Sequence, residues 1–310
     1  MSRAFTSSRI GALGPRIEEV ASELFERARA STQPVDFVAA LASPLPVTVI
    51  SELLGVPTAN RAALVAWSDA MARGLEPPFL LSAEVQERLE MAREEFASFL
   101  RDLIAHRRRS PGDDLLSALV GISDGGDVLT EEELIATCIL ILVAGHETTT
   151  SLISAAVLGL ARHPEQLARL HAEPELAANA VEEFLRYDPP VQVTVRFALV
   201  EASVGGLPVP AGSLAVLLIG AANRDPALCT EPDRLDIGRP PSHHLAFGQG
   251  IHFCLGAPLA RLETQTVLRL LVGRSDGLHV TGEPSWKENT VLRGLHKLPI
   301  SFSPDDTSTG

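Results

Sequence analysis

One cysteine stands in a setting that constrains the fold and chemistry of this chain more than any other feature. Cys254 follows a loop punctuated by two glycines, Gly248 and Gly250, and precedes an apolar-periodic helix predicted to begin near Leu255. The glycines let the backbone approach the flat face of a ligand closely. The free N–H groups and positive dipole at a helix start favour the thiolate, the form of cysteine that binds metals. The loop is therefore predicted to hold a thiolate against a large flat cofactor.

The window around this cysteine resembles the haem-ligand loop of the cytochrome P450 family, the haem-thiolate monooxygenases. Residues 247–256 match the family pattern Phe-Gly-x-Gly-x-His-x-Cys-x-Gly at every specified position. The resemblance implies that Cys254 is the metal ligand and binds the haem iron as a thiolate. Four more residues of the pattern are expected to contact the cofactor: Phe247, Gly248, Gly250 and Gly256.

Two other interpretations of the cysteine carry less weight. A lone cysteine is usually a small buried apolar residue, but the six specified positions in register over a ten-residue window favour the haem interpretation. A zinc site through His252 and Cys254 would need three or four ligands, and no second Cys/His pair stands at zinc spacing in the sequence.

A long apolar run between residues 130 and 163 is predicted to form a buried helix. Thr130 and Glu133 have the spacing of a capping box, which marks a helix start. The uncharged part, residues 134–145, is too short to cross a bilayer, so a helix through the core is favoured. The helix is expected to end near His163 and Pro164.

Within this run, residues 144–149 (Ala-Gly-His-Glu-Thr-Thr) resemble the oxygen-activation segment of the same family. An acid followed by threonines is costly in a buried helix unless its groups are satisfied, and Gly145 is expected to let the helix open locally. The resemblance implies that Ala144 contacts the haem, that Thr148 hydrogen-bonds the bound dioxygen and that Glu147 helps to relay protons for O–O cleavage.

Two alternatives apply to this segment taken alone. A helix kink with a solvated carboxylate would account for Gly145 and Glu147 without any chemistry. The pair His146–Glu147 is also typical of a metalloprotease helix, but that motif needs a second histidine where this sequence has Thr150.

Further matches follow in the order of the family. Glu183 and Arg186 match its Glu-x-x-Arg motif, and Arg234 is expected to complete a structural cluster with them beneath the haem. By the same resemblance, Arg196 and His252 donate to the two haem propionates, which are anions suited to such donors. Taken singly, either residue would be explained as an ordinary exposed charge.

The composition excludes several classes of protein. A net charge of −13 argues against nucleic-acid binding, which needs a basic face. The 310-residue chain is 45% hydrophobic and can bury a large core. Three cysteines cannot all pair, so a disulfide scaffold is not expected. Neither a signal peptide nor an apolar stretch of membrane length is recognised, which predicts a cytoplasmic protein with no membrane partner.

The pattern of elements predicts a mainly α (α+β) protein, a cytochrome P450 fold with minor β-sheets in one domain over residues 1–310. Apolar periodicity indicates helices in the first part of the chain, and short strands are expected at residues 195–200 and 214–219. Residues 304–310 are expected to be a disordered tail. The resemblance further implies that the chain lacks the N-terminal helices and part of the first sheet of the family.

These features together predict a haem-thiolate monooxygenase whose cofactor is haem b. The resemblance implies that it inserts one oxygen atom from O2 into a small organic substrate, with electrons from a ferredoxin-type redox partner. Two alternatives stay open: a catalytically impaired or silent haem-binding remnant, and a non-haem helper protein of the same fold. The sequence does not select the substrate.

Overall fold

The computed structural model describes residues 7–124, 129–240, 243–275 and 277–302, and most of these residues are helical. The predicted tail at 304–310 lies outside the described residues. In chain order, the α-helices are α1 (Ser7–Ala12), α2 (Gly14–Ala30), α3 (Pro44–Leu54), α4 (Arg61–Arg73), α5 (Ala83–Arg109), α6 (Leu115–Asp124), α7 (Glu131–Arg162), α8 (Pro164–Ala172), α9 (Ala177–Tyr187), α10 (Ile219–Ala222) and α11 (Ala257–Arg274).

The strands are short, and all of them pair antiparallel. They are β1 (Val35–Asp36), β2 (Val193–Phe197), β3 (Ala202–Val204), β4 (Leu207–Val209), β5 (Leu214–Leu218), β6 (His279–Val280), β7 (Ser285–Trp286), β8 (Leu295–Lys297) and β9 (Pro299–Ser301). One sheet has the order β1–β9–β6, and the others are the pairs β2–β5, β3–β4 and β7–β8. The prediction of a mainly helical protein with minor sheets is confirmed.

Helix α7 passes through the centre of the protein. Its predicted capping box is present, because the Thr130 hydroxyl accepts the N–H of Glu133 and the Glu133 carboxylate accepts the N–H of Thr130. It packs against α3, α4, α5, α9 and α11 around a shared apolar core. The predicted opening at Gly145 is absent, since the helix is continuous there. A Cβ at Gly145 would lie 3.1 Å from Ile50, so this glycine serves the close approach of α3.

The same helix is long and apolar enough, by length and composition, to cross a membrane. The expectation that no apolar stretch of membrane length is present is therefore wrong for the helix as a whole. In the structure 56% of its most apolar window is buried inside the protein. A helix that is apolar on most sides is expected where other helices surround it, so core packing accounts for its composition.

Candidate functional site

The loop before Cys254 folds back on itself. Gly248 and Gly250 have φ values of 67° and 68°, in the left-handed region that side chains disfavour. The backbone N–H of Cys254 donates to the carbonyl of Phe247 at 2.9 Å. This bond brings the two ends of the loop together, and the cysteine lies beside the phenylalanine that begins it.

The sulfur of Cys254 lies at the start of α11. It accepts hydrogen bonds from the backbone N–H groups of Gly256 and Ala257. The helix begins at Ala257, two residues later than the predicted start at Leu255. Burial raises the pKa of the thiol, and the two N–H donors and the charge of Arg261 oppose that rise without cancelling it. The predicted N–H donors therefore lie at the sulfur, but burial outweighs their effect on the pKa and favours the thiol over the thiolate.

Arg261 braces the cysteine loop from α11. Its guanidinium lies 4.6 Å from the centre of the Phe247 ring, a cation–π contact. It also donates to the carboxylate of Glu182 on α9 at 2.6 and 2.8 Å. Although burial opposes them, the hydrogen bonds from Arg261 and His244 lower the pKa of Glu182 to about 2. The loop is therefore tied to two helices by a carboxylate that stays ionised.

Across from the loop, α7 presents Thr148. The threonine hydroxyl donates to the carbonyl of Ala144 one turn earlier, at 2.6 Å. Such back-bonding is common for threonine in a helix, and it keeps the hydroxyl close to the helix surface. Thr148 and Ala144 therefore lie on the same face of α7.

A cavity of about 630 Å³ lies between α7, β2 and the cysteine loop. Most of its other lining residues are apolar, such as Leu152, Val191 and Ile219. Its wall includes seven residues predicted from the sequence to bind a cofactor or to act in catalysis: Ala144, Thr148, Arg196, Phe247, Gly248, His252 and Cys254. The structure thus gathers at one cavity residues that are more than a hundred positions apart.

Two basic residues stand at the open side of this cavity, and both are exposed. The Arg196 guanidinium donates to the carbonyl of Val195 at 2.8 Å and to the hydroxyl of Thr194 at 3.3 Å. It makes no ion pair with any acid of the described residues. His252 ends a 3₁₀ turn, and its ring makes no hydrogen bond within the described part of the chain. Both side chains are available to an anion.

Three predicted site residues do not line the cavity. Gly250 and Gly256 lie in the loop beside it and act through the backbone, one by its positive φ and the other by its N–H on the sulfur. Glu147 is 3% exposed, and its carboxylate lies 2.7 Å from the ammonium of Lys287. The acid therefore faces the connection between β7 and β8 and not the cavity.

Lys287 is the residue that sequence reasoning missed. It bridges Glu147 and Asp69, at 2.7 and 2.6 Å from its ammonium, and the Asp69 carboxylate is half exposed. Burial raises the pKa of Glu147 to about 7, against the opposing effect of Lys287. The available signal was rarity, since the chain has only two lysines, Lys287 and Lys297.

The structural cluster on α9 differs from its prediction in one member. Arg186 donates to the Glu183 carboxylate at 2.7 and 2.9 Å, and both side chains are buried. The second arginine on that carboxylate is Arg239, at 3.2 Å. Arg234 contributes only its backbone carbonyl, while its side chain is exposed and pairs with Glu231. The prediction of Arg234 was therefore wrong. Both arginines of this segment carry the required charge, and the fold brings the side chain of Arg239, not that of Arg234, to the Glu183 carboxylate.

Among the described residues, no group of three or more His, Cys, Asp or Glu side chains is placed to hold a metal ion. The three cysteines are free. A metal bound through Cys254 would therefore have to bring its remaining ligands with it, as the iron of a porphyrin does.

Comparison with known proteins agrees with this geometry. A family model described as Cytochrome P450 matches residues 1–275. Cytochrome P450 107B1 of Saccharopolyspora erythraea is 43% identical over 302 residues, covering 96% of this chain and 72% of that protein. The 6-deoxyerythronolide B hydroxylase of the same organism is 40% identical over 304 residues, covering 97% and 73%.

Solved structures give the same result for the fold. The crystal structure of Mycobacterium smegmatis CYP164A2 with econazole bound matches with a TM-score of 0.91 and 43% identity. The match covers 97% of this chain and 75% of that one. The similarity therefore extends along nearly all of the chain.

Proposed function

This chain belongs to the cytochrome P450 family of monooxygenases, and on that premise we propose that it uses haem b to insert one oxygen atom from O2 into a small organic substrate. The observation that supports this most directly is the single cavity that Cys254, Thr148, Arg196 and His252 all line. We further propose a ferredoxin-type electron donor and a cytoplasmic location.

The residues at the cavity fit a haem. Cys254 offers a sulfur that already has two backbone N–H donors. Arg196 and His252 offer donors for two propionates at the open side, and apolar walls lie between these polar ends. The Cys254 thiol would give up its proton on binding a metal ion, and this would offset the burial that disfavours the thiolate. The donor set is thus that of a thiolate-ligated, doubly anionic, flat cofactor.

When bound, haem supplies the iron that activates dioxygen, and a thiolate ligand favours O–O cleavage. In this proposal Cys254 holds the iron, and Arg196 and His252 hold the propionates. Ala144 leaves room for the cofactor beside α7. The Thr148 hydroxyl, which donates to Ala144 at present, turns into the cavity to donate a hydrogen bond there.

Glu147 is proposed to supply the protons. Its pKa of about 7 suits a group that must give up a proton near neutral pH. Because the carboxylate faces Lys287, its proton reaches the cavity either by rotation of the Glu147 side chain or through a water beside Thr148. Asp69, half exposed at the other side of Lys287, connects this acid to solvent.

The proposal is tested by turnover of the haem-loaded chain with a ferredoxin, its reductase and NADPH. 6-Deoxyerythronolide B is a first probe, since a relative named for its hydroxylation is 40% identical. Incorporation of one atom of ¹⁸O from ¹⁸O2 into product is the expected result. NADPH consumption that yields only peroxide, across a panel of polyketides, steroids and fatty acids, would contradict the proposal.

Thr148 provides the matched pair of variants. Thr148→Ser keeps a hydroxyl and is expected to keep product formation coupled to NADPH use. Thr148→Val keeps the shape and loses the hydroxyl. It is expected to lower the product formed per NADPH, because proton delivery of this kind contributes about 10²-fold or more to the rate. Equal coupling in both variants would remove Thr148 from the mechanism.

The two alternative functions are less well supported. The relative named as a hydroxylase, 40% identical to this chain, favours an enzyme over a silent haem-binding remnant. A helper protein without haem would have no use for Cys254 with two N–H donors on its sulfur.

A further inference from the structure

The imidazole of His146 is buried on α7 and is hydrogen-bonded at both ring nitrogens. Nε2 lies 3.0 Å from the hydroxyl of Ser43, and Nδ1 lies 3.0 Å from the hydroxyl of Ser68. Only 2% of the histidine side chain is exposed. Each serine can donate or accept, so the serines alone do not decide which nitrogen carries the proton.

The Ser43 hydroxyl makes this bond in place of a local one. Ser43 occupies the N-cap position of α3, where a serine side chain usually accepts a backbone N–H of the first turn. No such bond is made, and the hydroxyl contacts His146 instead. The ring is thus held by α3 through Ser43 and by α4 through Ser68.

The carboxylate of Glu147 is the other polar group at this ring. Its Oε2 lies 2.7 Å from the ammonium of Lys287, whereas Oε1 is buried and accepts no hydrogen bond from the described residues. Oε1 lies 3.3 Å from Nδ1 of His146. A buried acceptor without a partner is costly, and a small rotation would make a proton on Nδ1 its donor.

The surrounding charges decide between the two tautomers. Burial, together with the charge of Lys287 and against that of Asp69, lowers the pKa of His146 to about 4, so the ring is neutral and carries one proton. The charged groups that act on Glu147 are Lys287, from the connection between β7 and β8, and Asp69, from α4. A lone pair on Nδ1 would repel the carboxylate, whereas an N–H there attracts it. Nε2 then accepts the hydroxyl proton of Ser43.

We propose that His146 is a positioning residue for Glu147: its Nδ1–H is shared between the Ser68 hydroxyl and Oε1, while the ammonium of Lys287 holds Oε2. With one donor on each oxygen, the carboxylate keeps one orientation and its ionised form is stabilised. The importance of this for turnover rests on the proposed function, in which Glu147 supplies protons. The place of the proton on His146 does not depend on that function.

The first test is the tautomer of His146 in the wild-type chain. Nitrogen-15 chemical shifts separate a protonated from an unprotonated ring nitrogen, and the signal is assigned by its loss in His146→Gln. The proposal expects the proton on Nδ1 near neutral pH. A proton on Nε2 would overturn it, whether or not the enzyme turns over.

Asparagine and glutamine then separate positioning from simple packing. His146→Asn places an amide where Nδ1 stood, near Glu147, and His146→Gln places one where Nε2 stood, near Ser43. The carboxyl of Glu147 is followed by carbon-13 NMR and assigned with Glu147→Gln. We expect His146→Asn to preserve its titration and His146→Gln to lower its acid dissociation constant about tenfold, as loss of a charge-assisted hydrogen bond does. Equal shifts in both variants, or none in either, would overturn the proposal.

Turnover of the haem-loaded enzyme gives an independent readout. His146→Gln is expected to lower the product formed per NADPH several-fold at unchanged KM, and His146→Asn to retain it. Equal coupling in the two variants would count against the positioning role. If the wild-type chain forms no product, the proposed function fails, and the tautomer and the titration of Glu147 still decide this inference.

Discussion

Arg186 and Glu183 form an ion pair inside the protein, with Nε 2.7 Å from Oε2 and side chains that are 1% and 2% exposed. The same guanidinium donates to the backbone carbonyls of Pro232 and Arg234. The pair therefore fastens α9 to the segment that leads toward the cysteine loop.

Removal of this arginine should destabilise the protein strongly. Arg186→Met would leave Glu183 with a buried, partly uncompensated charge, which costs about 3–5 kcal/mol. The matched control is Arg234→Met, because that side chain is 59% exposed and surface changes stay within about 0.5 kcal/mol. Urea unfolding measures both. Similar losses of unfolding free energy in the two variants would contradict this structure and support the cluster with Arg234 that the sequence predicted.

The comparison of Arg234 with Arg239 shows where sequence reasoning stops. Motif and register placed Cys254, Thr148, Arg196 and His252 at positions that the fold brings to one cavity. Two arginines five residues apart, however, cannot be ranked without the path of the backbone between them. Only the folded chain shows that Arg239 reaches Glu183.

Helix boundaries could be predicted from local sequence patterns, whereas pKa values depend on contacts between distant residues. The capping box of α7 could be read from Thr130 and Glu133 because it is a local pattern. The contact between Lys287 and Glu147 spans 140 positions and leaves no local trace. The raised pKa of the Cys254 thiol likewise depends on burial by distant residues, which periodicity does not measure.

The packing of α7 on α9 makes Gly159 intolerant of a side chain. A Cβ there would lie 2.6 Å from the ring of Phe184, so Gly159→Ala should lower the unfolding free energy by about 1–3 kcal/mol. Gly273→Ala, at an open position on α11, should raise it by up to about 1 kcal/mol. Thermal unfolding of both variants tests this, and stabilisation by Gly159→Ala would contradict the packing.

Glu147 should make stability depend on pH. Because burial raises its pKa from 4.5 to about 7, the folded state holds a proton in that interval that the unfolded state has released. Stability therefore falls as the pH rises through the interval, by about 1.4 kcal/mol per unit at most and about 3 kcal/mol in all.

The check is urea unfolding of the wild type and of Glu147→Gln between about pH 4.5 and pH 8. The fall is expected in the wild type and should disappear in the variant. Glu132→Gln, an exposed carboxyl at the start of the same helix, serves as the matched control. If the unfolding free energy of Glu147→Gln fell with pH as steeply as that of the wild type, the Glu147 carboxyl would not titrate in this pH interval.

Arg196 and His252 should retain the haem. Substitution of either by Gln removes a charge-assisted bond to a propionate, so haem dissociation should accelerate about tenfold or more. Transfer of haem to excess apomyoglobin measures the rate. Arg269→Gln, on the exposed side of α11, is the control. Rates that match the control would place the propionates elsewhere.

The most direct test of the central claim is a carbon monoxide difference spectrum of the haem-loaded, dithionite-reduced chain, with Cys254→Ala beside it. If Cys254 ligates the iron, the wild type shows the red-shifted Soret band of thiolate-ligated haem, and the variant loses it. A band typical of histidine or a neutral thiol in the wild type, or the same spectrum in both proteins, would contradict the assignment of Cys254.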